Sequence, residues 1–358
     1  MRRDPSRRHL LQAAASLSTL AVARPGRAAP RVAWEPKVAE NITGLNDGTL
    51  RWMAQLGVQW VDLQGAEQVD RDKKGWWSLE EIQAVQERCK QFGLRIACIT
   101  VPLAWQMNSM LARPARDQDI ERIQRSIRAL GQAGVPVFQW RWSPDFKWGP
   151  EVGYKSVPGR GGALYRAFDY DLVKDLPPFE ELGAISYQQM WERLLYFAKP
   201  LVEAAEKANV KLALHPKDPP VRVLRGIARL FTSTEEIERF FEAVPSPFNG
   251  FTFCQGTVAE MGADVLDAIR RLGRQQRIHH VHLRAVRGRV PRYVETFIDE
   301  GDLDMLEAMR AYKEAGYIGA IVSDHTPGIT GDIAEGKIGR SFSHGYIRAL
   351  IQAVNSER

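Results

Sequence analysis

Residues Ser186–Pro216 read SYQQMWERLLYFAKPLVEAAEKANVKLALHP. From Ser186 to Ala208 the apolar positions recur with the period of a helix that buries one face. Val210–Leu214 is then a short, nearly continuous apolar run, and it stops on His215-Pro216. A run of that kind suits a parallel strand covered on both faces. The stretch is therefore one helix followed by one buried strand, with a histidine at the strand's C-terminal end.

The same pairing repeats along the chain. Apolar runs lie at Val58–Leu63, Leu94–Val101, Val135–Trp142, Gly250–Cys254, Ile278–Leu283 and Tyr317–Ser323, with a weaker one at Arg31–Trp34. Stretches of helical period separate or follow them: Leu50–Leu56, Ser78–Gln91, Ala115–Ala133, Thr234–Ala243, Ala259–Leu272, Leu303–Ala315 and Arg340–Ser356. Ser78-Leu79-Glu80-Glu81 has the form of a capping box, and Ser233 to Glu236 offers similar chemistry. Eight strands each followed by a helix, over roughly 330 residues, define an α/β protein of the (β/α)₈ TIM-barrel class. A doubly wound open sheet is the competing architecture. No Gly-rich phosphate loop follows any strand, and no shift in composition marks a second domain, so the barrel is preferred.

One connection departs from this rhythm. Residues 143–185 show little periodicity and are rich in Gly, Pro and aromatics, among them Trp148, Tyr154, Tyr165, Phe168 and Tyr170. A loop this long in a compact domain tends to be functional. It follows the fourth strand, which in a barrel puts it over the catalytic face.

The first 29 residues read differently. Arg7-Arg8-His9-Leu10-Leu11 precedes an apolar stretch to Ala23 and then Gly26-Arg27-Ala28-Ala29. Basic, apolar and small-residue regions in that order form an export signal, and the arginine pair resembles the twin-arginine type. Its apolar part, roughly 14 residues, is short of a membrane span. Cleavage near Ala29 leaves residues 30–358 as the barrel domain in an exported, periplasmic protein with no membrane partner. Residues 1–29 carry six Arg and one Asp, and the whole chain has a net charge of +6. The remainder is thus close to neutral, which gives no ground for a nucleic-acid partner. A homo-oligomer is left open. The three cysteines, Cys89, Cys98 and Cys254, are too few for a disulfide framework. Cys89 and Cys98 read as small buried hydrophobes.

Cys254 belongs to a pattern. The fifth strand ends on His215, the sixth on Cys254, the seventh runs Ile278-His279-His280-Val281-His282-Leu283-Arg284, and the eighth ends Ser323-Asp324-His325. Four successive strands thus offer His, Cys, His and Asp where a barrel builds its active site, and all four side chains ligate divalent metals. Alternation along the seventh strand sends His280 and His282 to one side and His279 to the other. His282, nearer the C-terminal end, is the better ligand. The thiolate favours Zn²⁺ or Fe²⁺, whereas the carboxylate suits Mn²⁺ or Mg²⁺.

These residues also carry a family resemblance. His215-Pro216-Lys217-Asp218-Pro219-Pro220, Gly250-Phe251-Thr252-Phe253-Cys254-Gln255-Gly256, His282-Leu283-Arg284 and Asp324-His325 are similar to motifs of the mannonate dehydratases. So are Arg160-Gly161-Gly162-Ala163, Phe168-Asp169, Glu300–Met305 and Ile338-Gly339-Arg340. The resemblance spans about residues 31–353. It implies a xylose-isomerase-like barrel, Mn²⁺, and dehydration of D-mannonate to 2-keto-3-deoxy-D-gluconate. By the same resemblance His215, Cys254, His282 and Asp324 match the metal ligands, and Arg284 and His325 match active-site positions. Two departures stand out. Lys217 replaces the family's Asp, and Ala334-Glu335-Gly336-Lys337 stands where the family has a Tyr-containing segment before Ile-Gly-Arg.

Dehydration needs loss of the proton alpha to the carboxylate and departure of the β-hydroxyl. His325 is the acid–base candidate, Arg284 the expected carboxylate clamp, and Arg160 and Lys217 further substrate-binding candidates. Competing readings are a sugar isomerase or epimerase on the same barrel, and an exported sugar-acid binding protein without catalysis.

Overall fold

The computed structural model describes residues 33–64, 69–145, 147, 149–332 and 336–357. The export signal expected at residues 1–29 lies outside them. Eight parallel strands form a closed barrel: β1 (Lys37–Ile42), β2 (Trp60–Leu63), β3 (Arg95–Thr100), β4 (Val137–Arg141), β5 (Lys211–His215), β6 (Asn249–Cys254), β7 (Ile278–His282) and β8 (Ala320–Val322). Each strand pairs with its neighbours in sequence, and β8 closes onto β1 through Lys37–Ala320, Val38–Ile321 and Ala39–Val322.

The first strand is a correction to the sequence reading. Trp34 lies in irregular chain, and the strand is Lys37-Val-Ala-Glu-Asn-Ile. Its polar residues hide it from an apolar search. Glu40 is nevertheless fully buried, because it is paired.

The helices are α1 (Asp47–Gln55), α2 (Leu79–Lys90), α3 (Arg116–Gln132), α4 (Tyr187–Ala208), α5 (Thr234–Ala243), α6 (Val265–Arg274), α7 (Met305–Glu314) and α8 (Lys337–Ser356). Ser78 and Glu81 close a capping box on α2, and Ser233 caps α5 by accepting from the Glu236 amide. The single helix expected over Ala259–Leu272 is two: a short turn of helix at Gln255–Glu260, then α6, whose N-cap is Asp264. Gly262 between them has φ of +78°, a value that ends a helix. No helix among the described residues is long and apolar enough to cross a membrane.

Alternate strand residues face the helices. Trp140 packs on Phe197 of α4 and Phe240 of α5, while its neighbours Gln139 and Arg141 face the barrel axis, where Gln139 meets Thr100. The ring is clamped shut by α8. Arg340 donates to Glu40 and to the Asn41 side chain, His344 also pairs with Glu40, and Ser323 donates to it at 3.2 Å. The Ile-Gly-Arg string thus ties the last helix to the first strand.

Residues 143–185 contain more structure than their sequence announces. Tyr154–Pro158 and Leu164–Asp169 form a hairpin. It pairs with a second hairpin, Val286–Arg289 and Arg292–Glu295, which follows β7. The result is a four-stranded antiparallel sheet joined to the end of β8 by a bridge between Leu164 and Gly328.

Candidate active site at the barrel mouth

Register aims the ligand candidates at one another. Cys254 is the β6 partner of His282, and Arg141 is the β4 partner of His215. Partners across parallel strands send their side chains to the same face, here the barrel axis. His215 Nε2 lies 3.1 Å from His282 Nδ1. His282 Nδ1 is 3.4 Å from Asp324 Oδ1, and Cys254 Sγ is 3.5 Å from Asp324 Oδ2. The atoms of His215, Cys254 and His282 all lie within 4.8 Å of one another. All four residues are buried. Asp324 takes a left-handed φ of 56°, a conformation that Asp tolerates better than most residues and that gathers at functional sites.

Does this set fit a divalent cation? Ligand atoms about 2.0–2.3 Å from a common centre stand roughly 3.0–3.6 Å apart, which the His215–His282, His282–Asp324 and Cys254–Asp324 contacts match, although the last two use different carboxylate oxygens. Protonation agrees. Burial, then the nearby His282, holds His215 well below the usual imidazole range, so its lone pair is free. Burial would lower His282 as well, but the Asp324 charge and the hydrogen-bonding influence of Asp324, Asp62 and Cys254 together outweigh it and raise His282 well above that range. A cation at this place would displace the proton that His282 shares with its neighbours.

The other histidines divide as the alternation of β7 requires. His280 lies on the His282 side, with ring centroids 5.1 Å apart, and meets Asp62. His279 bonds the Leu212 carbonyl at 2.7 Å and lies among residues that begin strands, such as Lys37 and Lys211. The glycines of the Gly250–Gly256 string make room for this seventh strand. A Cβ on Gly250 would stand 2.4 Å from the His279 ring, and one on Gly256 would stand 2.1 Å from Arg284 Nε. Cys89 and Cys98 are buried free thiols, as is Cys254.

His325 is partly exposed beside the ligands. Its Nδ1 lies 2.9 Å from Glu295 Oε2, with Arg284 Nη1 at 2.9 Å and Arg166 Nη1 at 3.2 Å. Only one of these can use Nδ1 as a donor, and the carboxylate is the acceptor. Nε2 lies 3.7 Å from Asp324 Oδ1, on the side of the His-Cys-His-Asp cluster.

Arg284 corrects an expectation. Its guanidinium is buried and already surrounded: Asp218 Oδ2 at 3.0 Å, Glu260 Oε1 at 2.8 Å, Glu295 Oε1 at 3.3 Å and Thr257 Oγ1 at 3.3 Å. Asp324 Oδ2 is 3.6 Å from its Nε. Such a group has no fork to offer a substrate carboxylate. It instead holds the Asp324-His325 turn against three acids. Burial pushes Glu260 well above the carboxylate range against the pull of Arg284, with Asp218 and Glu295 adding to the rise.

The cations that do face the mouth are others. Arg160 is not among them: it is exposed, paired with Asp299 at 2.7 Å and stacked over Phe297. Arg166, from the same hairpin, reaches His325, and with Tyr154, Tyr165 and Glu295 lines a cavity of about 440 Å³ that includes His325. Arg141 donates to Gln64 at 3.1 Å. Lys217 is largely buried beside these groups. Burial, with Arg229 and Arg141, brings it down to about 7 against the opposing Asp145 and Asp218. Asp145 and Arg229 form a buried ion pair.

The sequence reading missed Asp62, Arg141, Arg166 and Glu295. A charged residue inside the apolar run Val58–Leu63 was a usable signal for Asp62. Arg166 and Glu295 come from hairpins with no register to the barrel.

A (β/α)₈ barrel with a His-Cys-His-Asp cluster at its C-terminal mouth defines the class: a barrel enzyme of the xylose-isomerase-like fold, which is also the fold of a xylose isomerase domain protein from Planctomyces limnophilus (TM-score 0.58, 12% identity, 89% of this chain and 98% of that one). The profile of the D-mannonate dehydratase (UxuA) family matches residues 49–180 and 171–358, and the chain belongs to that family. It is 30% identical over 316 residues to the mannonate dehydratase of Thermotoga petrophila, covering 78% of this chain and 87% of that protein. It is 31% identical over 309 residues to that of Streptococcus agalactiae serotype Ia, with the same coverage. The crystal structure of mannonate dehydratase from Streptococcus suis serotype 2 superposes with a TM-score of 0.78 at 28% identity, over 89% of this chain and 93% of that one. The protein is accordingly an enzyme, a hydro-lyase of this family.

Proposed function

We propose that the protein removes water from D-mannonate or a close analogue to give 2-keto-3-deoxy-D-gluconate or its counterpart. In this reading one divalent cation, Mn²⁺ first and Fe²⁺ or Zn²⁺ as alternatives, is held by His215, Cys254, His282 and Asp324. The observation that carries the reading is the convergence of His215, Cys254 and His282, whose ligand atoms all lie within 4.8 Å of one another, with the Asp324 carboxylate beside them, Oδ1 at 3.4 Å from His282 and Oδ2 at 3.5 Å from Cys254. When bound, the cation supplies Lewis acidity that stabilises negative charge on the substrate's carboxylate and neighbouring oxygen.

The protein's own groups do the rest. The C2–H bond breaks with its proton taken up at His325 Nε2 and returned to the C3 hydroxyl, which leaves as water; the enol formed then takes a proton from solvent at C3 as its own hydroxyl proton is lost, leaving a C2 ketone. His325, oriented by Glu295 behind Nδ1, presents Nε2 to carry a proton to the departing hydroxyl. Arg166 and Arg141, with Lys217, supply positive charge at the mouth for the acid group. The hairpin over the cavity limits access of bulk water. Lys217, brought down to about 7 and so only partly charged near neutral pH, stands where the family carries an acid and favours an analogue with an extra hydrogen-bond-accepting group. Residues 1–29 export the folded enzyme, so that the cation is loaded before Cys254 meets an oxidising compartment.

The test is a panel of aldonic and aldaric acids incubated with the purified protein, with and without added Mn²⁺ after chelation. Cation-dependent formation of a 2-keto-3-deoxy acid is expected. Isomerised or epimerised sugar without dehydration would favour the isomerase reading. Full activity after complete chelation would overturn the metal role.

A further inference from the structure

Beneath the four ligands the barrel axis carries a second polar group, which the dehydration reading leaves unused. Asp62 projects from β2 and is fully buried. Its Oδ2 accepts from Gln64 Nε2 at 2.9 Å and lies 3.1 Å from His280 Nε2 and 3.8 Å from His282 Nε2. Its Oδ1 has no hydrogen-bond partner, and neither does His282 Nε2 or His280 Nδ1. The ion-pair partners of Asp62 among the described residues are the two histidines, with no Lys or Arg in reach.

We propose that Asp62 is the positioning residue of the metal centre, its carboxylate holding the proton of His282 on Nε2 so that Nδ1 is committed to the cation. The inference rests on the metal-site reading above.

A neutral imidazole carries one proton, on one nitrogen or the other. His282 Nδ1 is the atom that faces His215 and Asp324. A proton there excludes a cation, so in the loaded protein it sits on Nε2. A buried N–H needs an acceptor, and leaving it without one is destabilising. Asp62 is the acceptor in that direction. It stands less than an ångström beyond bonding distance and has an unused oxygen, so a small rotation of the carboxylate completes the contact. His280 and Gln64 hold the carboxylate from its other sides, and Gln64 in turn accepts from Arg141 at the mouth. A carboxylate behind a metal-bound histidine fixes its tautomer and raises its basicity, and loss of such a partner typically weakens metal binding about 10–100-fold.

The same three residues admit a rival use, since ligand atoms of Asp62, His280 and His282 also lie within 4.8 Å of one another. A second cation there would make His282 bridge two metals.

The experiment compares wild type with Asp62→Asn by chelator competition for Mn²⁺, with metal content measured per chain. Expected are one cation per chain in both proteins, an affinity about 10–100-fold weaker in the variant, and a thermal midpoint of the metal-free variant within a few degrees of wild type. Histidine ¹⁵N spectra of the Zn²⁺-loaded wild type provide a readout that needs no variant: His282 must be protonated at Nε2. Metal coordination through His282 Nε2, or unchanged Mn²⁺ affinity in the variant, overturns the proposal. Two cations per chain in the wild type, falling to one in the variant, overturns it in favour of the second site. A wild type that binds no cation sinks the metal-site reading along with it, which separates the two failures.

Discussion

Arg284 separates a clamp from a keystone. Arg284→Met keeps most of the side chain's volume and removes its charge. In the native protein the guanidinium touches Asp218, Glu260 and Glu295, with Asp324 close to Nε. Burial by itself would raise both Asp218 and Glu295. Arg284 holds Asp218 below the carboxylate range, and His325 followed by Arg284 does the same for Glu295. The variant leaves two acids buried without their cation. Breaking a buried ion pair from one side costs about 3–5 kcal/mol, which for a domain of this size lowers Tm by roughly 5 °C. The sign with pH follows from the same shifts. Without Arg284 the pKa of Asp218 rises most and that of Glu295, still held by His325 and Arg166, rises less, so protons are taken up on mild acidification. The stability gap between variant and wild type is therefore full near pH 7 and narrows toward pH 5. Urea unfolding at both pH values, on metal-free protein, measures it. A variant with wild-type stability at pH 7 and a raised KM alone would show that Arg284 is a free substrate clamp, and would refute the buried-hub argument.

Two further outcomes follow from the geometry and a third from the sequence of residues 1–29. Gly250→Ala, whose Cβ would stand 2.4 Å from the His279 ring, should cost about 1–3 kcal/mol through overpacking, read as a lower urea midpoint, and an unchanged midpoint would mean that the ring moves aside freely. His279 is held at about 4, chiefly by burial, so the native state declines a proton that the unfolded chain accepts below about 6.5. The stability it protects is whole above that pH and falls by up to about 3 kcal/mol on acidification to pH 4. His279→Gln should flatten this decline, and equal pH profiles would rule the residue out as its source. Replacing Arg7 and Arg8 by Lys should leave folded protein in the cytoplasm, and unchanged export on fractionation would exclude the twin-arginine route.

The (β/α)₈ class was legible because parallel strands buried on both faces must be apolar, and helices packed outside them must be apolar at every third or fourth position. That constraint acts over a few residues, so Val210–Leu214 followed by His215 already exposes it. That His215, Cys254, His282 and Asp324 gather at one mouth was legible for a related reason: a barrel puts the C-terminal end of each strand there, so the four could be matched by position alone. β1 was not legible. Glu40 and Asn41 interrupt its apolar pattern, and the burial of Glu40 makes sense only once Arg340 and His344, some three hundred residues away, arrive to pair with it. Arg284 shows the same limit in the site itself. Its place at the end of β7 could be read from sequence, but its role depends on how many carboxylates surround it, and Asp218, Glu260 and Glu295 come from three separate connections. Local periodicity reports which face of an element is buried. Which charges then meet on that face, and so which of them remain free for a substrate, is decided by long-range closure of the barrel and by the hairpins laid across its mouth.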